Sequence, residues 1–72
     1  MILQLPSNKS IELDGISYID SIQLYEYPDI YIKFWYEFVV TYENGGKITY
    51  SYDTKHRAER DRDLILRKIH NF

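Results

Sequence analysis

Every second residue from Ile30 to Tyr42 is apolar: Ile30, Ile32, Phe34, Tyr36, Phe38, Val40 and Tyr42. That is the two-residue period of a pleated strand with one side against a core, held well beyond the usual length of about five or six residues. The intervening positions are not simply polar, because Tyr31, Trp35 and Val39 stand there among Lys33, Glu37 and Thr41. Both sides of this strand therefore have something to bury.

The flanking segments can be placed by parity, since directly opposed residues of antiparallel strands face the same side. Asn44-Gly45-Gly46 is the strongest turn signal, because glycine supplies the positive φ of tight hairpins. A three-residue loop closed by Glu43 and Lys47 sets Tyr42 opposite Ile48, Val40 opposite Tyr50 and Phe38 opposite Tyr52, with Gly46 in the left-handed position. Upstream, Ile16 to Glu26 reads as one strand and Tyr27-Pro28-Asp29 as its turn, because proline fixes φ and aspartate bonds its own backbone. This register puts Tyr25 opposite Tyr31, Ser21 opposite Trp35 and Ser17 opposite Val39, with Ile19 beside Glu37. It leaves Asp20 opposite Tyr36 on the core side, which calls for a bulge near Asp20-Ser21, a bond to the Tyr36 hydroxyl, or a different register. Ile2 to Leu5 and Ile11 to Leu13 suit a short hairpin around Pro6-Ser7-Asn8-Lys9.

From Lys55 to Asn71 the period becomes helical, with Asp53 or Thr54 as N-cap. At about 100° per residue, Ala58, Ile65, Ile69 and Phe72 fall in one stripe, flanked by Leu66 and interrupted by Arg62. The charged first half would draw on the pairs Lys55 with Glu59, Arg57 with Asp61 and Asp63 with Arg67. The whole pattern predicts one α+β domain over residues 1–72: strands near 2–5, 10–13, 16–26, 30–43 and 47–53, an antiparallel meander, and a helix near 55–71 packed on the sheet.

With 72 residues and no cysteine, the chain has neither disulfides nor thiolate metal sites to staple it. Eight Tyr, three Phe and one Trp must supply the buried area instead. No apolar run approaches the ~20 residues of a membrane span, and Met1 to Pro6 lacks the lead of a signal peptide, so a soluble cytoplasmic protein is expected, with no membrane partner. The abundance of Ile, Tyr, Lys, Asn and Asp is the usage of an AT-rich genome, such as a bacterial or phage one. A net charge of −2 gives no general attraction for nucleic acid.

No catalytic motif is present: there is no Gly-rich phosphate loop and no GxSxG, so no enzyme activity, catalytic residue or cofactor is expected. His56, Glu59, Asp63 and His70 share a helix sector, but without HxxxH or HExxH spacing they read as solvated charges and no metal is expected. The functional lead is the second side of the long strand. Tyr25, Tyr31, Lys33, Trp35, Val39 and Ile19 form a surface of large side chains ringed by polar ones, the composition of a protein contact. Three things could cover it: the N-terminal hairpin folding back, a second copy of the chain, or a foreign protein. An unpaired edge beside Ile30 to Tyr36, where residues 30–43 outrun residues 47–53, points the same way. The expectation is a non-enzymatic interaction module, self-associating around Trp35. The alternatives are a phage or mobile-element-type inhibitor docking on a host protein and, with less support, a single-stranded nucleic-acid binder stacking bases on Tyr25, Tyr31 and Trp35.

Overall fold

In a computed structural model, which describes residues 1–28 and 32–70, six strands precede one helix. They are β1 (Ile2–Gln4), β2 (Ser10–Glu12), β3 (Ile16–Ile19), β4 (Gln23–Pro28), β5 (Ile32–Tyr42), β6 (Lys47–Tyr52) and α1 (Lys55–His70). The architecture is α+β, with every strand pairing antiparallel. β5 is the central strand: β3 and β4 both pair with it, and so does β6. β1 and β2 form a separate hairpin. Ile30, Tyr31 and Phe72 lie outside the described residues.

The two hairpin loops share one mechanism. Tyr42 N–H donates to the Gly46 carbonyl (2.8 Å) and Gly45 N–H to the Tyr42 carbonyl (2.9 Å), so the loop is Glu43-Asn44-Gly45 with Gly45 at φ +90°. Leu5 N–H donates to Lys9 (2.7 Å) and Asn8 N–H to Leu5 (3.0 Å), with Asn8 at φ +66°. Each is a turn that ends on a left-handed residue, the three-residue solution for a hairpin. The first loop corrects the expected register. Its closing pair is Tyr42 with Gly46 rather than Glu43 with Lys47, and Gly45 rather than Gly46 takes the left-handed position. The Asn44 side chain accepts from Gly46 N–H (2.8 Å), which fixes that choice. β5 and β6 consequently pair Phe38 with Tyr50, Val40 with Ile48 and Tyr36 with Tyr52. Parity survives, so the same residues share a face, and Phe38 stacks between Tyr50 and Tyr52 at 5.5 and 5.7 Å.

The expected single strand from Ile16 to Glu26 is broken at Asp20-Ser21-Ile22, where the bulge expected near Asp20-Ser21 is found. Asp20 keeps the ladder closed with its side chain. Its amide donates to Val39 O (3.2 Å), and its carboxylate, not its carbonyl, accepts from Val39 N–H (2.6 Å). The freed Asp20 carbonyl is taken by Arg62 Nε of α1 at 2.8 Å. A further irregularity lies between Ile16 and Tyr18. These slips correct the upstream register: Ile19 pairs with Val40, Leu24 with Tyr36 and Tyr25 with Trp35. Tyr27 and Pro28 belong to β4, paired with Lys33 and Ile32, rather than to a turn.

One side of the sheet carries the core. Phe38, Val40, Ile19, Tyr50 and Tyr52 meet Ala58 and Ile65 of α1, together with Leu5, Ile11 and Leu13 from the N-terminal hairpin. Two tyrosine hydroxyls staple that hairpin down, Tyr42 onto the Glu12 carbonyl (2.7 Å) and Tyr50 onto Ser10 (3.0 Å). Burial raises the pKa of both phenols above its ordinary value. The hairpin therefore covers the same side as the helix, and the reading in which it folds over Trp35 is overturned.

α1 is capped by Thr54, whose hydroxyl accepts from Arg57 N–H (3.3 Å). Its buried residues are Ala58, Asp61 and Ile65, with Leu66 and Ile69 packed alongside. Asp61 corrects an expectation: it is fully buried rather than paired with Arg57, which bridges to Asp53 instead (3.4 Å). Tyr52 donates to Asp61 Oδ2 (2.9 Å), as does the Ser7 hydroxyl. Burial, and then this bond, push the Tyr52 phenol far above its usual range. Asp61 thus ties helix, sheet and N-terminal loop together.

Candidate interaction surface

β6 reaches only as far as Tyr36, and the chain leaves the sheet there to begin α1. Beyond that level β4 and β5 continue alone as a two-stranded ribbon, Leu24–Pro28 against Ile32–Tyr36. The molecule is correspondingly long, 46 × 25 × 17 Å. Its radius of gyration is 13.1 Å, against about 11 Å for a compact chain of this size. Among the described residues no strand lies beside Ile32–Trp35 on the β6 edge, as the lengths of the two runs had predicted.

On the outward side of the ribbon, Trp35 sits between two tyrosines. Tyr25, directly opposite, stacks on the indole at 5.6 Å and 16°, and Tyr27, on the diagonal, meets it at 5.4 Å and 41°. The indole N–H donates to Glu37 Oε1 (2.6 Å), and the Ser51 hydroxyl reaches the same oxygen at 3.3 Å. Lys33, opposite Tyr27, rims a shallow depression that it shares with Tyr27 and Trp35. The indole's ring face and its donor are thus both engaged inside the chain, which leaves it a poor platform for stacking a base.

Of the residues singled out by the sequence, Tyr25, Lys33 and Trp35 come together here. Val39 is on the same side but separated from Trp35 by the Glu37–Ser51 pair, opposite Thr49. Ile19 is withdrawn: it is 9% exposed in the core, because the Asp20 bulge turns it to the opposite side. Tyr31 lies outside the described residues. Tyr27 was missed because Pro28 was read as part of a turn. Its signal was the alternation Tyr25, Tyr27, which Pro28 does not interrupt at the end of an outer strand.

The ribbon's other side was missed as well. Leu24 and Phe34 are 58% and 48% exposed, although they continue the stripe of Tyr36 and Phe38 that forms the core. Glu26, opposite Phe34, is the acidic residue on this side of the ribbon. Here, among the described residues, the large side chains have no aromatic partner and no covering helix.

Among the described residues no three His, Cys, Asp or Glu side chains converge as a metal site. Among the same residues no helix is long and apolar enough to cross a membrane. No family model, curated protein or solved structure matches the chain.

Proposed function

We propose that this protein is a non-enzymatic interaction module that self-associates through the projecting β4–β5 ribbon. One observation carries the reading: the part of the sheet that projects past the helix is apolar on both sides. Tyr25 and Tyr27 are 43% and 56% exposed on one side, and Leu24 and Phe34 stand bare on the other. A body that buries Phe38 and Val40 completely while leaving four such side chains out is built for contact. Light scattering across a concentration series is the test. A mass that rises from one chain to two supports the reading, and a single-chain mass throughout removes it.

A second reading, docking on a foreign protein as an inhibitor would, draws on the outward side. The aromatic triplet there grades into a polar field of Glu37, Ser51, Val39 and Thr49, the core-and-rim layout of a non-obligate interface. Trp35→Ala would abolish capture of such a partner and leave the mass of the isolated protein unchanged.

A further inference from the structure

The two sides of the ribbon are not equivalent, and the difference selects where a second copy would sit. On the outward side the large rings already pack on one another, and the indole donor is bonded. On the core side, Leu24 and Phe34 carry outward a stripe whose inner members, Tyr36 and Phe38, lie progressively deeper in the body. Lengthening that stripe with identical residues would extend the core without a new kind of contact.

The ends of the stripe carry opposite charge. In its outer part Glu26 stands opposite Phe34. At its inner end, next to Tyr36 and Tyr52, α1 begins with no acidic residue in its first turn; Lys55, Arg57 and Arg60 stand there against Glu59, and Asp53 occupies Arg57. The positive end of the helix dipole adds to that field. A two-fold axis across the stripe reverses the second copy, so each Glu26 approaches the basic helix start of the other. Any parallel arrangement sets like charges together.

We infer that a second copy of this chain seats on the Leu24–Phe34 side of the ribbon, antiparallel about a two-fold axis, with Glu26 of each copy facing the helix N-terminus of the other. The inference rests on the self-association proposed above and assigns its surface. A stable homodimer buries about 800 Å² per partner, more than two bare side chains and their margins supply. The association is therefore sought at high protein concentration.

Sedimentation equilibrium of the full chain between about 10 μM and 1 mM tests the seat. Phe34→Glu should weaken dimerisation about thirty-fold or more, as for the anchor of an interface. Glu26→Lys should weaken it about three-fold, and adding Arg60→Glu to Glu26→Lys should restore it. Trp35→Ala should leave it unchanged. All four sites are exposed or lie outside the core, and a retained thermal transition verifies that each variant folds. A wild-type dimer lost in Trp35→Ala but kept in Phe34→Glu would overturn the seat while sparing self-association. Loss in Phe34→Glu without any response to the charge exchange would overturn the antiparallel arrangement. A monomer at every concentration would overturn both, leaving the stripe to another protein.

Discussion

The same strand behaves in opposite ways along its length. Between Tyr36 and Tyr42, β5 has β6 along one edge, and α1 and the N-terminal hairpin over its inner side, and Phe38 and Val40 have no exposure at all. Between Ile32 and Trp35 it has only β4, and Phe34, two residues from Tyr36 on the same stripe, is half exposed. Local sequence does not separate the two regions, because the alternation is unbroken. What separates them is reach: a helix of 16 residues covers about 24 Å and begins level with Tyr36, so it runs away from the ribbon. Along β5, exposure is decided by where the cover stops.

Substitutions sharpen that contrast. Phe38→Ala should cost about 3–5 kcal/mol in urea unfolding, whereas Phe34→Ala, measured where the protein is monomeric, should cost less than about 1 kcal/mol. Equal costs would erase the distinction between body and ribbon. Asp61→Ala should cost about 2–3 kcal/mol by stranding the Tyr52 and Ser7 hydroxyls, and the N-terminal hairpin should lose hydrogen-exchange protection before the ribbon does. Asp20→Ala should cost about 1–2 kcal/mol by leaving Val39 N–H without its acceptor, with Asp20→Asn recovering most of it. Trp35→Ala should cost about 1 kcal/mol for the lost ring contacts, with faster exchange confined to β4 and the outer half of β5.

Alkali should weaken the body. The phenols of Tyr42, Tyr50 and Tyr52 are held above their ordinary value, so between about pH 10 and their folded values the unfolded chain has lost protons that the native one keeps. Stability is then full below about pH 10 and falls as pH rises through that window. Tyr52→Phe should flatten the fall, and an unchanged slope would argue against a buried Tyr52 hydroxyl.

The fold class was legible because long strands and an amphipathic helix announce themselves through their periods. Register was legible only in parity: the faces of Phe38, Val40, Tyr50 and Tyr52 were right, while the pairing was shifted by two residues, since a turn can slide without exchanging faces. Ile19 could not be placed without knowing that the Asp20 carboxylate would stand in for a carbonyl and add a residue to the strand. Asp61 was hidden by its type, because a carboxylate among charged helix residues reads as solvent-facing until Ser7, far away in sequence, supplies a donor. The surface around Trp35 was visible as an aromatic excess. The bare side at Leu24 and Phe34 was not, since alternation marks those residues as core and only the helix's starting point shows that no cover reaches them.

The most direct trial of this picture is residue-level solvent accessibility by NMR with a soluble paramagnetic probe, recorded at low and at high protein concentration. The account predicts strong relaxation of Leu24 and Phe34 in dilute solution, fading as the concentration rises, with Phe38, Val40 and Ile65 silent throughout. Leu24 and Phe34 as silent as Phe38 in dilute solution would contradict it.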